Sequence, residues 1–219
     1  RGWLTPVDGR RYVVAAAVAA GIEGGAYSAA DVWDCESWAQ VAQWHGHIAP
    51  DDFGDTLMLL GAFYNWALLA PEVNNHGLAT CVRIRDGNYP SLLIRGDNSG
   101  GTDLGWFTSP SEGGTRAELL AAARAAVRAF DCKINSLISI HECMSFVNSR
   151  NKQGTEKMGP QSGAFCDAVI SLGIGIKMLE DYKHVPELKH EGLDSPLGPL
   201  GKRRGARGRL TIPRVGGYR

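Results

Sequence analysis

The chain has 219 residues, of which 44% are hydrophobic and 21% charged, and its 23 Lys and Arg balance 23 Asp and Glu. This composition is typical of a globular protein, and it excludes a disordered chain and a uniformly basic polyelectrolyte, although a zero sum does not exclude a local basic patch. No apolar run reaches the ~18 residues that a membrane span needs, so we expect no membrane segment.

The N-terminal part of the chain predicts three strands joined by short turns. Residues 12–19 form a run of small apolar side chains, which is typical of a buried central strand. Residues 26–34 and 40–48 predict a second and a third strand. Connections this short join antiparallel neighbours, so we expect an antiparallel meander.

Helices and strands alternate in the next segment. Pro50, followed by two acids, is typical of the first turn of a helix, which we expect to end near residue 65. Residues 66–72 predict a short strand that ends in Glu72. A helix follows from a cap at residues 74–77 to about residue 85, and residues 89–95 predict a further strand.

The last third of the domain predicts mainly helices. Residues 96–114 predict a polar loop, and Thr115 with Glu118 forms a capping pattern before an Ala-rich helix that ends near residue 130. Residues 135–147 predict a helix running into a strand at Phe146, followed by a hairpin turn at residues 151–154. Residues 164–182 predict a long apolar helix.

The composition changes after residue 182, which predicts one domain over residues 1–182 and a basic, flexible tail over residues 183–219. The tail has no acid after Asp194. The chain starts with Arg1 and not Met, so we expect a fragment or a processed chain. Its five cysteines are widely spaced and form no C-x-x-C pair, which predicts free thiols in a reducing compartment.

Three antiparallel strands followed by alternating helices and strands predict an α/β fold, with a mixed sheet of about five or more strands and helices on both faces. This order is that of ribonuclease H-like proteins, in which acids lie at the ends of the first and fourth strands and at the start of the last helix. Glu72 and Asp167 occupy the last two places. Carboxylates that converge there are the hard oxygen ligands of a two-metal phosphodiesterase using Mg²⁺ or Mn²⁺.

Four stretches in this order resemble the nuclease domain at the C-terminal end of the large terminase subunit of tailed bacteriophages. They are VAAGIEGGAYS at 18–28, EVNNHG at 72–77, Tyr89-Pro90, and QSG at 161–163 ahead of Asp167. The resemblance covers about residues 12–182, and EVNNHG is its most specific stretch. It implies an endonuclease that cuts concatemeric viral DNA during genome packaging, with Glu72 and Asp167 as catalytic metal ligands.

The chain departs from the family pattern at the first-strand acid, where it has Ala17. It also has Ala20 and Ala26 where the family often has acids, and Phe165-Cys166 where the family commonly has His-Asp ahead of Asp167. The first-strand acid normally bridges both metals. We therefore expect a weakened or inactive nuclease, or a site in which another acid, Glu23 or Asp31, substitutes; whether the chain is an enzyme stays open at this point.

The resemblance also implies partners. Double-stranded DNA would be bound mainly through its phosphates, by Lys152 and Lys157 around the hairpin and by Arg95. The family works with an upstream ATPase domain, a portal and a small terminase subunit, in the host cytoplasm. The chain itself contains no G-x-x-x-x-G-K-[ST] loop, so we expect no Walker-type ATP site in it.

Other interpretations stay open. The chain is alternatively a non-catalytic DNA-binding or assembly module on the same fold, or a resolvase or transposase, which the Asn-Asn-His-Gly stretch disfavours. His76 is either a base beside the metals or a residue that caps or packs locally. His45 and His47 share one face of a strand and are too few for a zinc site. Adjacent residues of one element do not face each other, which disfavours a catalytic thiol at His141-Glu142-Cys143.

Overall fold

The computed structural model describes residues 1–96, 102–109, 114–150, 156–161 and 165–182. The predicted tail, the predicted hairpin turn and Lys152 lie outside the described residues. All five cysteines are free thiols.

The centre of the fold is a four-stranded mixed sheet in the order β3-β2-β1-β4. Its strands are β1 (Tyr12–Ala17), β2 (Ser28–Asp34), β3 (Gln40–Gly46) and β4 (Leu68–Pro71). β1 and β2 pair antiparallel, as do β2 and β3, whereas β1 and β4 run parallel. The predicted meander and the crossover to a parallel strand are both confirmed.

The sheet has four laddered strands where the sequence predicted about five or more. Residues 91–93 continue it beyond β4, but only through one bridge between Leu69 and Leu92. Residues 94–96 leave the sheet because β5 (Ile94–Gly96) pairs instead with β6 (Thr102–Leu104). β6 lies within the stretch expected to be a loop, and its three residues are too few to show an alternating pattern.

Helices cover both faces of the sheet, as predicted. They are α1 (Pro50–Phe63), α2 (Gly77–Asp86), α3 (Thr115–Ala129), α4 (Leu137–Ser145) and α5 (Asp167–Tyr182). Between α4 and α5, β7 (Phe146–Arg150) and β8 (Glu156–Pro160) form an antiparallel hairpin. Among the described helices none has the length and hydropathy to cross a bilayer.

The alternation of side chains along β1 separates two apolar clusters. Val14 and Ala16 belong to the cluster that contains Phe53 and Leu57 of α1. Val13, Ala15 and Ala17 belong to the cluster on the opposite face, where α3 and α5 pack. Small side chains on β1 let α5 lie close to the sheet, and the Ser171 hydroxyl donates a hydrogen bond to the Ala15 carbonyl at 3.0 Å. The end of β1 therefore meets the start of α5.

Candidate active site

Glu72 is held at the end of β4, directly beside the end of β1. Its backbone N–H donates to the carbonyl oxygen of Ala16 at 2.7 Å. The parallel register pairs Ala16 with Pro71, so the next step along both strands brings Ala17 next to Glu72. Neighbours in register share a face of a sheet, and for Ala17 this is the α5 face.

The EVNNHG stretch explains why the chain turns as it does after Glu72. A Cβ on Gly77 would clash with the carbonyl oxygen of Glu72, so only glycine allows α2 to start this close. Asn74 accepts from the Thr108 N–H at 2.7 Å and donates to its carbonyl at 2.8 Å. His76 stands exposed at the N-cap position of α2, and its side chain makes no capping hydrogen bond. At the start of α2 the Gly77 N–H donates to the Asn74 carbonyl at 2.9 Å and the Ala79 N–H to the His76 carbonyl at 3.2 Å, so the expected cap is made by backbone carbonyls and not by a side chain.

Asp167 is the first residue of α5, and its carboxylate accepts from the Tyr27 backbone N–H at 3.0 Å. Tyr27 lies just before β2, in which Ala29 is paired with Ala17. Its ring stacks on His47 with centroids 4.3 Å apart and packs against His45 at 4.5 Å. The two histidines therefore support the segment that holds Asp167.

The charge of Asp167 acts on the carboxylate of Glu72. Burial raises the pKa of Glu72, and the negative charge of Asp167 raises it further. The Arg116 guanidinium and the nearby Thr108 hydroxyl lower that pKa, although the hydroxyl oxygen is outside hydrogen-bond geometry. Burial also raises the pKa of Asp167, against the effect of the Tyr27 amide. Two acids from distant parts of the chain thus face one region.

Ala17 borders this pair and contributes no ligand atom. It is 3% exposed and lies between Glu72 on one side and Ala29 on the other. Within the described ranges no group of three or more His, Cys, Asp or Glu side chains is arranged to hold a metal ion. The arrangement offers two carboxylates, with a methyl group where a third would fit.

Neither acid named as a substitute takes that place. Glu23 is exposed in the turn before β2. Asp31 is fully buried opposite Ala15, and its Oδ1 accepts from the side-chain amides of Gln40 at 2.6 Å and Gln43 at 2.9 Å. Burial raises the pKa of Asp31 to about 6, partly offset by the Ser171 hydroxyl and these two amides. Asp31 is therefore part of a buried polar network beneath α4 and α5 and is not a ligand beside Ala17.

The role of Glu142 at the start of α5 was not predicted from the sequence. Glu142 on α4 accepts hydrogen bonds from the backbone N–H groups of Ala168 at 2.8 Å and Val169 at 3.2 Å, in the first turn of α5. Burial raises the pKa of Glu142, and the charges of Asp167 and Asp31 raise it further. Every helix start needs acceptors for its free N–H groups, but the sequence does not say that another helix supplies one. The neighbouring Cys143 thiol has its pKa raised to about 11 by burial, which opposes thiolate chemistry.

The residues expected to bind DNA lie apart from this pair in sequence and are only partly described. Lys157 pairs with Ser149 across the β7–β8 hairpin. Arg95 on β5 donates from Nε to the Gly105 carbonyl at 2.8 Å, and its guanidinium lies 5.4 Å from the centre of the Phe107 ring. These contacts fix Arg95 against its own hairpin. A DNA-binding role for Lys152, Lys157 and Arg95 stays a prediction.

Comparison with known proteins finds similarity of fold. No family model and no curated protein matches the sequence. The chain superposes on the large terminase nuclease of thermophilic phage G20c with bound cobalt with a TM-score of 0.65 and 14% identity, covering 79% of this chain and 84% of that one. The G20c nuclease is also solved with bound magnesium and with bound zinc.

Two further structures extend the comparison. The large terminase nuclease domain of Thermus phage P74-26 matches with a TM-score of 0.62 and 15% identity, over 80% of this chain and 83% of that one. The large terminase of another thermophilic bacteriophage, in complex with ADP, matches with a TM-score of 0.54 and 10% identity, over 80% of this chain and 42% of that one. The chain has the ribonuclease H-like fold of phage large terminase nuclease domains, so the predicted resemblance is confirmed for the fold.

Proposed function

We propose that the chain is a terminase-type nuclease domain that acts on double-stranded DNA during viral genome packaging, by metal-assisted hydrolysis at Glu72 and Asp167. The main supporting observation is that these two acids, 95 residues apart in the sequence, are both anchored beside the end of β1. Glu72 follows β4 in register with Ala17, and Asp167 accepts from the Tyr27 N–H just ahead of β2, in which Ala29 pairs with Ala17. A fold shared with terminase nucleases supports the same proposal.

The residues present fit a divalent cation in part. Both ligands are hard oxygen donors, which suit Mg²⁺ or Mn²⁺. Burial raises the pKa of each carboxyl, and in Glu72 the charge of Asp167 adds to it, so a bound cation would favour the ionised forms. Arg116 supplies some of it by lowering the pKa of Glu72. A third carboxylate at residue 17 is what the pair lacks.

A bound cation and the residues of the chain would contribute different parts of the hydrolysis. A bound cation lowers the pKa of a water molecule and stabilises the charge of a phosphoryl group under attack. Glu72 and Asp167 would hold that cation, while EVNNHG and the Tyr27 N–H keep the two carboxylates in position. With Ala17 in place of an acid, we expect slow hydrolysis or none.

Restoring the missing acid tests this proposal. Plasmid cleavage in Mn²⁺ is compared for the present chain, Ala17→Asp and the uncharged isostere Ala17→Asn. We expect Ala17→Asp to cleave at least about a hundredfold faster than the other two, because a completed cation site stabilises the transition state by several kcal/mol. Adding Glu72→Gln to Ala17→Asp should abolish the gain.

A thermal unfolding series in the same proteins provides the control for folding. A buried aspartate without a counter-ion destabilises the fold, and a cation that binds only the folded state reverses this. Mn²⁺ should therefore raise the Tm of Ala17→Asp and leave that of Ala17→Asn unchanged. A folded Ala17→Asp protein that neither binds Mn²⁺ nor cleaves DNA would contradict the nuclease proposal.

The second candidate is a non-catalytic DNA-binding or assembly module on the same fold. Ala17 favours it, and so does Arg116, which partly neutralises Glu72 without a metal. This candidate predicts salt-dependent binding of duplex DNA that chelation by EDTA does not change. Binding without cleavage in both the present chain and Ala17→Asp would support it.

The cellular setting follows from the same proposal. A terminase nuclease would act beside an ATPase domain, at a portal, with a small terminase subunit, in the cytoplasm of an infected host. The match to the phage large terminase in complex with ADP, of which this chain covers 42%, supports work within a larger subunit.

A further inference from the structure

The outer face of α3 carries an uncompensated row of positive charge. Arg124 and Arg128 are exposed and four residues apart, which places them side by side on the helix surface. In the part of the chain that the structure describes, neither makes an ion pair. Arg116 lies eight residues before Arg124 in the first turn of the same helix, so the three arginines extend over about 18 Å at the ~1.5 Å rise of an α-helix.

Small side chains separate these arginines. Ala117, Ala121 and Ala125 lie on the same side of α3, and together with Leu120, Arg124 and Arg128 they line a surface depression of about 450 Å³. Alanines leave room for a partner to approach the helix backbone. The face therefore combines positive charge with space for a closely bound anionic chain.

The acid of α3 does not neutralise this face. Glu118 is the only Asp or Glu between residues 115 and 129. Glu118 lies six residues before Arg124 and ten before Arg128, so it is not a helical neighbour of either, and its charge raises the pKa of Lys177 on α5. The positive charge of Arg124 and Arg128 thus stays available at the surface.

The first turn of α3, which carries Arg116, lies near the acid pair. Arg116 lies 4.0 Å from the Cys166 sulfur, one residue before Asp167, and its charge lowers the pKa of Glu72. A polyanion lying along α3 would therefore reach Glu72 and Asp167 at the N-terminal end of the helix.

We infer that the outer face of α3, formed by Ala117, Ala121, Arg124, Ala125 and Arg128, binds the sugar–phosphate backbone of double-stranded DNA and directs it toward the acid pair. This inference rests on the proposed function and adds a surface that the sequence pattern had not indicated. Arginine suits such a surface because its guanidinium can form two hydrogen bonds to one phosphate. Contacts of this kind fix the position of a duplex without reading its sequence.

Salt-dependent binding of a fluorescein-labelled duplex of mixed sequence tests the inference in the full chain. The variant Arg124→Gln/Arg128→Gln removes two charges and keeps good helix formers. The slope of log K against log salt should fall by about 1.8, since each lost phosphate contact contributes about 0.9, and affinity at low salt should fall on the order of tenfold. Circular dichroism checks that the fold is kept.

The matched control is Arg83→Gln/Arg85→Gln on α2, which packs with α1 on the opposite face of the sheet. These arginines are already paired with Asp55 and Asp86. This variant loses the same formal charge and should keep the slope of the parent chain. Equal effects of the two variants would show a general charge effect and overturn the role of α3.

Other outcomes separate the inference from the proposed function. A parent chain that binds the duplex while Arg124→Gln/Arg128→Gln binds it equally well would overturn the α3 surface and leave the nuclease proposal intact. A parent chain that binds no duplex DNA would overturn both. Binding of poly-glutamate through α3, without binding of DNA, would overturn the inference in favour of an acidic protein partner.

Discussion

Two groups of acids lie on the same face of the sheet, the fully buried Asp31 and the half-buried pair Glu72 and Asp167, and their surroundings differ. Oδ1 of Asp31 accepts from the side-chain amides of Gln40 and Gln43 on β3, whereas its buried Oδ2 has no hydrogen-bond partner among the described residues. Gln43 in turn bonds to Ser136 and Ser139 at the start of α4. Burial raises the pKa of Glu72, and the charge of Asp167 raises it further.

This difference distinguishes Asp31, a carboxylate with a structural role, from Glu72 and Asp167, a pair that favours a cation from solution. The two amide hydrogen bonds stabilise the ionised form of Asp31, but burial outweighs them, since the pKa is raised to about 6. Two carboxylates that repel each other are stabilised best by a cation from outside. Burial raises the pKa of Asp31, Glu72 and Asp167 alike, so the shift alone does not distinguish the groups. The hydrogen-bond partners of the carboxylates distinguish the two groups.

The largest effect should come from removing a donor from Asp31. Gln43→Ala takes one amide from the buried carboxylate and leaves the Ser136 hydroxyl without its acceptor at 2.6 Å. We expect the free energy of unfolding to fall by about 3–5 kcal/mol, because the variant strands a buried charge and opens a cavity. Urea unfolding at neutral pH measures this loss.

The control for that loss is an exposed glutamine. Gln161 lies just after β8 with its side chain exposed, so Gln161→Ala should change stability by less than about 0.5 kcal/mol. A Gln43→Ala protein as stable as Gln161→Ala would mean that the amide does not support Asp31.

The pH dependence of stability gives the next largest effect. The pKa of Asp31 is about 6 in the folded protein and about 3.9 in an unfolded chain. Between these values the folded state keeps a proton that the unfolded state releases, so stability falls as the pH rises from about 4 to about 6 and levels off above that. The loss attributable to Asp31 is about 3 kcal/mol.

Asp31→Asn isolates this contribution. The asparagine keeps an acceptor for Gln40 and Gln43 and has no proton to lose. Urea unfolding at pH 4 and pH 7 should show a smaller loss of stability in Asp31→Asn than in the parent, by about 3 kcal/mol. The raised pKa values of Glu72 and Asp167 act in the same direction in both proteins and cancel in the difference. That of Glu142 cancels only in part, because the charge of Asp31 contributes to it.

How much of this was predictable depends on how far each partner lies along the chain. The strands, the helices and the placement of Glu72 and Asp167 at element ends follow from local periodicity and from the resemblance. The network around Asp31 does not, because Ser139 is 96 residues from Gln43. Asp31 stands in an apolar strand and gave no sign of its two amide partners.

Glu142 and Arg116 were missed for the same reason. Glu142 caps a helix that begins 25 residues later, and Arg116 acts on Glu72 from 44 residues away. Gly77 is the opposite case. It was recognised as part of a motif, but its reason, the close approach to the Glu72 carbonyl, is visible only in three dimensions.

The smallest stability effect should come from removing one acid of the Glu72–Asp167 pair. Glu72→Gln removes one of two repelling charges, so we expect the free energy of unfolding at pH 7 to rise on the order of 1 kcal/mol. Asp31→Asn should also stabilise the protein at this pH, since it removes a buried charge. Stability alone therefore does not distinguish the groups, and the response to Mn²⁺ is needed.

In the Ala17→Asp background, Mn²⁺ should raise the Tm of the protein that also carries Asp31→Asn and leave unchanged that of the protein that also carries Glu72→Gln. Asp167→Asn should behave like Glu72→Gln, because both acids supply oxygen ligands to the same cation. A Mn²⁺ response that survives Glu72→Gln and disappears with Asp31→Asn would assign the cation to the Asp31 network. In that case the Glu72–Asp167 pair would not be the cation site.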